Sequence, residues 1–327
     1  MNRTLLLPAA WLLDHFAGDP EWFPHPVRLM GSGITRGEFA LRRKDQSNGT
    51  ELAGGAALTI ALVASSYYLS RQAIRVAHRQ SPVLGGAIEL LLGWTCLAAR
   101  SLEQEATNVA RALGAGDLTL ARTRLARIVG RDTQHLDADE INRAVIETLA
   151  ESGSDGVISP LFYMALGGVP LAMAYKAVNT LDSMIGHADA RNFYFGKVAA
   201  RLDDAANFIP ARLTALGIVA ASRLIDPSAP HAAWRTWHRD GGKHKSPNAG
   251  PPESAMAGAL RVRLGGNNVY QGEVVASPQM GREFAPPSLM QTKKAIRLVS
   301  IVALLGLAGG MLISACSDRR SSRMTSR

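Results

Sequence analysis

Glu140, Glu147 and Glu151 recur so that, at about 100° per residue, they line up on one face of a helix, with Asp155 just beyond its end at Gly153. Asp137 suits the N-cap of that helix, with Glu140 as its reciprocal partner, and Ile141, Ala144, Val145, Thr148 and Leu149 form an adjoining apolar face. The stripe has two readings. It is either the solvated face of an amphipathic helix or a place for Mg²⁺, which takes one or two carboxylates together with substrate phosphates. Further along, NTLDSMIG (Asn179 to Gly186) and ARLDDAANFIPAR (Ala200 to Arg212) again set an Asp beside an amide or an arginine. Asp203 and Asn207 share a helix face, until Pro210, which is expected to disrupt the helix. Caps and local ion pairs would explain each cluster singly. Their concentration between Gly130 and Arg212, against membrane-grade apolar sequence, points to a polar site, because polar groups so placed are costly to bury.

Two other stretches carry candidate chemistry. GDPEWFPHPVR holds Asp19, His25 and Arg28 among prolines that forbid a regular helix, and reads equally as a charged turn. HRDGGKHKSPNAGPPES closes the breaker-rich stretch Asp226 to Gly250 and sets Lys243, His244 and Lys245 beside Gly241 and Gly242. That is either a phosphate-facing loop, without the glycine spacing of a P-loop, or a basic flexible loop. Glu253 opens a helix expected to run to Leu264, and RLGGNNVYQGE supplies a glycine turn placing Asn268 and Tyr270. The eight histidines lack HxxxH or HxH spacing, which argues against zinc.

The segments GDPEWFPHPVRLMG, RDTQHLDADEINRAVIETLAESGSDGVISPLFY, AYKAVNTLDSMIG, ARLDDAANFIPARLTA, SPNAGPPESAMAGAL and RLGGNNVYQGE occur in this order between about Leu12 and Glu273. Together they resemble the adenosylcobinamide-phosphate synthase family of cobalamin biosynthesis. The resemblance implies an integral membrane enzyme that joins adenosylcobyric acid to an aminopropanol phosphate through an amide bond, using ATP and Mg²⁺. It implies catalytic roles in metal or amine handling for Glu147, Glu151, Asp155, Asp203 and Asp204, with Glu151, Asp155 and Asp203 as metal ligands. Arg131, Lys176, Arg201, Arg212 and Lys243 are then expected to meet phosphates. Asp19, Arg28, Asp132, Asn179, Asp182, Asn207, Asn248, Glu253, Asn268 and Tyr270 complete the implied substrate-binding set. Ser152, Pro251 and Asn267 depart from the family pattern, and bear on ligand positioning around Glu151 and Glu253.

The elements that must position these residues are apolar. Of 327 residues, 47% are hydrophobic and only 19% charged, rich for a soluble protein. Apolar runs lie at Leu52–Leu69, Val83–Ala99, Val157–Tyr175, Phe208–Ile225 and Ala295–Ala315, each close to the roughly 20 residues that cross a bilayer. Val157–Tyr175 carries Pro160, Gly167, Gly168 and Pro170, and Phe208–Ile225 carries Pro210, Arg212 and Arg223, so both suit re-entrant or protein-buried segments. Leu5–Phe16 reads as a retained short membrane or interfacial helix. Arg36–Glu51 reads as a surface linker, and Leu102–Val129 as two helices broken at Gly114–Asp117. The expectation is an all-α polytopic membrane protein with several transmembrane helices, re-entrant or amphipathic helices and polar active-site loops. Residues 1–315 form its single integral membrane domain, with loops at about 17–51, 102–156, 176–207 and 226–294, and residues 316–327 a disordered basic tail.

The arginines of Ser70–Pro82 and of the tail place both in the cytoplasm by the positive-inside rule, although simple loop counting then sets the motif loops on the other side. An ATP-using site must face the cytoplasm, and the motif loops share one face only if Val157–Tyr175 and Phe208–Ile225 both fail to cross or each is a closed hairpin; Gly167, Gly168 and Pro170 suit a hairpin in the first, and Arg212 and Arg223 argue against a lipid-facing span in the second. The reading is a multi-pass protein of the bacterial inner membrane, compatible with a homo-oligomer. The net charge of +9 is spread over loops, without an aromatic-interleaved basic face, so nucleic acid is a poor partner, whereas the lipid bilayer and phosphorylated substrates suit it. Cys96 and Cys316 suggest no disulfide framework. The competing reading is a polytopic carrier or binding protein for a corrinoid or organic anion, which predicts acids and arginines mid-span.

Overall fold

Helix signals are read closely by the computed structural model, which describes residues 2–20, 22–43, 46–187, 191–270 and 272–325, with side chains to 316. Helices α1 (Arg3–Ala17), α2 (Pro26–Leu41), α3 (Asn48–Gln80) and α4 (Pro82–Trp94) come first, and Pro26 and Pro82 sit at helix starts, where a missing N–H costs nothing. His25 caps α2 through Nδ1, which accepts from Val27 N at 3.3 Å. Next come α5 (Ala99–Gly114), α6 (Leu118–Leu125), α7 (Ala138–Gly153), a π-helical turn (Ser154–Ile158), α8 (Ser159–Ile185) and α9 (Lys197–Ser222). The last elements are α10 (Ala229–Asp240), a 3₁₀ turn (Gly241–Lys243), α11 (Gly250–Leu260), strands β1 (Leu264–Tyr270) and β2 (Glu273–Met280), and α12 (Leu289–Thr325).

Among the described residues, five helical stretches are long and apolar enough to cross a membrane: Asn48–Gln80, Pro82–Gly114, Ala138–Ile185, Lys197–Ser222 and Leu289–Cys316. This is a membrane protein built of helices, with one small antiparallel hairpin of strands.

Several boundaries differ from the sequence expectation. The linker at Arg36–Glu51 shrinks because α2 continues to Leu41 and α3 begins at Asn48; no proline interrupts 34–41, and Ser47 Oγ caps α3. Arg71, Arg75 and Arg79 lie on the last turns of α3 rather than in a loop. Residues 229–240 of the breaker-rich stretch are helical, since Pro230 falls in the first turn of α10. Helix α11 stops at Leu260, not Leu264, where Arg261 takes a left-handed conformation (φ 52°). The glycine turn is part of a β-hairpin. Helix α12 continues to Thr325 through the basic residues of the tail, with no Gly or Pro after Gly310 to stop it.

The chain divides into two compact units. The first comprises Met1–Ala98, Ser159–Asn207 and Leu307–Arg327. Within it α8 is not one rod, because Gly168 (φ 73°, ψ −170°) is non-helical, a conformation open to glycine, and Pro170 follows. Tyr163 and Tyr175 stack with ring centroids 5.0 Å apart. Twelve residues of straight helix would hold them about 18 Å apart, so the two legs fold back as a closed hairpin. Arg3 Nη1 donates to Leu166 O at 2.9 Å and caps the first leg.

Pro210 does not end α9, contrary to expectation. A proline deprives the carbonyl four residues earlier of its helical donor, and Tyr163 Oη donates to that carbonyl, Ala206 O, at 2.8 Å.

The second unit comprises Ala99–Ile158 and Phe208–Gly306. Its core includes Leu125, Ile141, Val145, Leu149, Met256 and Leu298, all at most 1% exposed. Asp117 caps α6, which starts after the expected break at Gly114–Asp117 but stops at Leu125, short of Val129, and Asn142 of α7 accepts from Thr292 Oγ1 of α12 at 2.6 Å.

Candidate functional site

In the second unit the predicted capping box opens α7. Glu140 N donates to Asp137 Oδ1 at 2.8 Å and Asp137 N to Glu140 Oε2 at 3.0 Å, so Glu140 is spent on the helix start. Glu147 and Glu151 follow on the same helix, and Asp155 sits in the π-helical turn, an irregularity frequent at functional sites.

The β-hairpin delivers the rest. Asp132 N donates to Val269 O at 2.8 Å, and Asp132 Oδ2 accepts from Gly272 N at 2.9 Å, which ties the RD pair to β1 and the hairpin turn. Arg131 is thereby held so that Nη2 donates to Glu147 Oε2 and Nη1 to Asn268 Oδ1, each at 2.7 Å. Arg143, one helical turn before Glu147, donates to Glu147 Oε1 (3.4 Å), Gly265 O (2.8 Å), Asn268 Oδ1 (3.1 Å) and Asn267 O (3.1 Å). Gly265 N completes the clasp with a 2.8 Å bond to Glu147 Oε1. The strand pairing is irregular between Leu264 and Gly266, which turns both polar groups of Gly265 toward α7. Gly265 has φ 78° and a side chain there would strike Pro278 O, so the position needs glycine.

Glu147 is 4% exposed and answered by two guanidinium groups and a backbone N–H, so it is a keystone more than an open ligand. Burial works against the Arg131 charge, but Glu147, Tyr270 and Glu253 outweigh it and raise its pKa. Glu253, in the first turn of α11, is 5% exposed. Burial, then the charges of Glu147 and Glu151, push its pKa well above the ordinary carboxylate range, against the pull of Arg131 and Arg143. A carboxyl so placed holds its proton more tightly than an ordinary one, and a nearby cation favours its charged form. Burial lowers the pKa of His244, which faces Glu147 as well as Lys245.

Among the described residues, no group of three or more His, Cys, Asp or Glu side chains converges to hold a metal. Mg²⁺ needs only one or two carboxylates when phosphates supply the remaining oxygens. The Glu151–Glu253 neighbourhood, acid-rich with one buried carboxyl whose pKa is raised, fits that donor set.

Other predicted residues of this unit take lesser positions. Lys243 Nζ pairs with Asp240 Oδ1 at 2.6 Å, so it is engaged by a carboxylate that also binds Arg239 and Gly281 N. Asn248 is buried in the turn before α11, and Tyr270 is 39% exposed at the end of β1. Arg212 donates to Phe208 O at 2.7 Å and lies over the Phe208 ring, a use local to α9.

The first unit gathers a different set. Asn207 Oδ1 accepts from Ser159 Oγ and Tyr175 Oη, both at 2.8 Å, on the two legs of the α8 hairpin. The Asp203 carboxylate, 9% exposed, faces the amides of Asn207 and Asn179, with Asp182 and Asp204 nearby. Arg201, largely exposed, reaches Asp204 at 3.3 Å. Lys176 is half-buried on the second leg, within electrostatic reach of Cys96. Asp19 meets His25 at 3.3 Å before α2, where Arg28 is exposed.

Sequence reasoning passed over Arg143 and Gly265. Arg143 had a signal in its four-residue spacing to Glu147; Gly265 had only the GG pair, whose meaning depends on strand pairing.

The CobD/Cbib protein family matches residues 7–299. The cobalamin biosynthesis protein CobD of Geobacter metallireducens is 49% identical over 290 residues, covering 89% of this chain and 90% of the relative. The cobalamin biosynthesis protein CobD of Klebsiella pneumoniae is 44% identical over 299 residues, 91% of this chain and 93% of the relative. The cobalamin biosynthesis protein CbiB of Salmonella typhimurium is 42% identical over 306 residues, 94% and 95% of the two chains. No solved structure matches. With its membrane helices, its arginine-clasped carboxylate and a likeness that runs nearly from end to end, the chain belongs to the CobD/CbiB family of cobalamin biosynthesis proteins, the adenosylcobinamide-phosphate synthase family.

Proposed function

We propose that this chain is the ATP-dependent ligase that forms the amide between adenosylcobyric acid and an aminopropanol phosphate, working from the cytoplasmic face of the bacterial inner membrane. The observation that carries the reading is Glu253, a buried carboxyl beside Glu147, Glu151 and two arginines, in a family devoted to cobalamin biosynthesis. A carboxylate is a poor acyl donor at neutral pH. In the proposed sequence a carboxylate oxygen of the corrinoid bonds to the γ-phosphorus of ATP and ADP leaves. The amine nitrogen then bonds to the acyl carbon, phosphate leaves with that oxygen, and a base takes the ammonium proton.

Mg²⁺ held by Glu151 and Glu253 together with the phosphates would neutralise charge on the transferring group. The chain's own residues do the rest. Arg131 and Arg143, fixed by Glu147 and Asn268, hold a positive, largely buried surface toward phosphate oxygens. Glu253, its pKa raised by burial, holds a proton more tightly than an ordinary carboxyl, and His244, biased to the neutral form, is available to accept one.

The test is amide formation by the detergent-purified protein given adenosylcobyric acid, aminopropanol phosphate, ATP and Mg²⁺, beside a Glu151→Gln variant. Product from the wild type and loss of at least about a hundredfold in the variant is expected. Folded protein that binds the corrinoid without making product would instead support a carrier.

A further inference from the structure

Helix α3, at 33 residues, is longer than a bilayer requires. Its apolar part, Leu52–Leu69, extends about 27 Å, close to the roughly 30 Å of a hydrocarbon core. The helix then continues for about three more turns to Gln80. Tyr67 and Tyr68 stand at the boundary with ring centroids 5.4 Å apart, and Tyr68 is 59% exposed, as suits an interfacial aromatic.

The turns beyond them are held firmly. Ser81 N donates to Ala77 O and Ser81 Oγ accepts from Val83 N, so one residue ends α3 and starts α4. A side chain at Gly85 of α4 would collide with the His78 ring, and His78 Nε2 lies 3.8 Å from Glu89 Oε2. Ser70 and Ala77 form the buried face of these turns. The opposite face carries Tyr68, Arg71, Arg75 and Arg79, all exposed and within about 80° of one another around the axis.

This stripe has no counter-charge of its own. Among the described residues none of the three guanidinium groups pairs with a carboxylate, and Arg75 Nη1 donates to Gln72 Oε1 at 3.4 Å. No Asp or Glu occurs between Glu51 and Glu89, and Glu89 is turned to His78. Arg71 and Arg75, like Arg75 and Arg79, are like charges one turn apart, which destabilise a helix. The helix dipole favours Arg79 in the last turn, but it fades before Arg71. The stripe therefore calls for anions that the chain does not supply.

Its setting says which anions. Arg71 lies about 4.5 Å past Tyr68 along the axis, at headgroup depth, and helical side chains lean toward the N-terminus, here back toward the bilayer. A zwitterionic headgroup would bring an ammonium that finds no carboxylate on this face. A headgroup whose phosphate is its only charge matches it.

We infer that Arg71, Arg75 and Arg79 form a binding site for the phosphodiester headgroups of anionic phospholipids, with Tyr68 at its membrane edge, and that the site selects against zwitterionic lipids. It is independent of the ligase reading.

The test is thermal unfolding of the full-length protein in dodecyl maltoside micelles containing dioleoyl phosphatidylglycerol, dioleoyl phosphatidylcholine, or inorganic phosphate without lipid. An Arg71→Gln/Arg75→Gln/Arg79→Gln variant and the Arg→Lys variant at the same positions are measured alongside. Phosphatidylglycerol should raise the wild-type Tm above its value in phosphatidylcholine. At about fivefold per arginine, the Gln variant should need on the order of a hundredfold more phosphatidylglycerol for the same rise. The Lys variant keeps the charge and should behave nearly as wild type. In phosphatidylcholine the Gln variant should unfold no lower than wild type, since the repulsion is gone, which separates lost lipid from a damaged helix. Raising the salt from about 0.1 M to about 1 M should erase the difference between wild type and Gln variant. Equal wild-type Tm in the two lipids, or a Gln variant that keeps the phosphatidylglycerol rise, would overturn the site. So would a rise with inorganic phosphate that the Gln variant loses, which makes the ligand a soluble anion, or an equal drop of that variant in every condition, which makes the stripe purely structural.

Discussion

Glu147 and Asp203 are both buried carboxylates on helices, yet they are solvated by opposite means. Glu147 is held by Arg131, Arg143 and Gly265 N, so its charge is matched by charge. Asp203 faces the neutral amides of Asn179 and Asn207, with further acids around it. The first arrangement is finished without a ligand, whereas in the second the Oδ1 of Asp203 has no hydrogen-bond partner among the described residues. A protein can therefore use one buried acid to build a site and another to receive something, and partner chemistry tells them apart.

The largest expected effect tests the first half of that contrast. Glu147→Ala leaves two guanidinium groups buried without their carboxylate and should cost about 3–5 kcal/mol of stability, read as a shift in thermal unfolding in detergent. Asp203→Asn keeps the shape and the amide contacts and should cost no more than about 1 kcal/mol. Equal losses in the two variants would erase the distinction.

Glu253→Gln sharpens it further. The folded-state pKa of Glu253 is raised, so its contribution is fully present below the unfolded value of about 4.3 and is lost as pH rises through the folded value. The glutamine variant should be more stable than wild type at pH 7, with a flatter pH dependence above pH 4.3, while losing amide formation. A variant less stable at pH 7 would mean that Glu253 is charged and paired in the resting protein.

Asp240 provides the opposite sign. Burial alone would raise its pKa, but Arg239, Lys243 and Gly281 N overcome that and hold it below the ordinary range. Its stabilisation is present above the unfolded value of about 3.9 and is lost as pH falls toward the folded value. Asp240→Asn should remove this acid-side loss, and acid titration monitored by circular dichroism checks it.

The smallest effect concerns the hairpin that shapes the Asp203 region. Tyr163→Phe removes the donor to Ala206 O and should cost about 1 kcal/mol. In a Pro210→Ala background residue 210 regains its N–H, so the same change should cost less, as a double-mutant cycle would show.

Much of this was legible in the chain. Asp137 and Glu140 announce the start of α7, and the apolar runs announce all five membrane-length stretches, because capping and hydropathy are local. Gly168 and Pro170 likewise announce a break, and the stacked Tyr163 and Tyr175 show that the legs close. The strands were not anticipated, although Val269–Tyr270 and Val274–Val275 flank a Gly272 turn, since seven or eight residues of β-prone sequence weigh little against a helical chain. Pro210 misled because its cost is met by a distant hydroxyl. The Arg131–Glu147–Arg143 clasp was only half visible, because Arg131 reaches Glu147 through a hairpin whose register no local pattern fixes.

The central claim is that the corrinoid carboxylate is activated by phosphorylation before the amine attacks, and oxygen tracing tests it most directly. Adenosylcobyric acid labelled with ¹⁸O in the reacting carboxylate, turned over with ATP, Mg²⁺ and aminopropanol phosphate, should release inorganic phosphate carrying one ¹⁸O per amide formed. Amide formation with unlabelled phosphate would contradict the account.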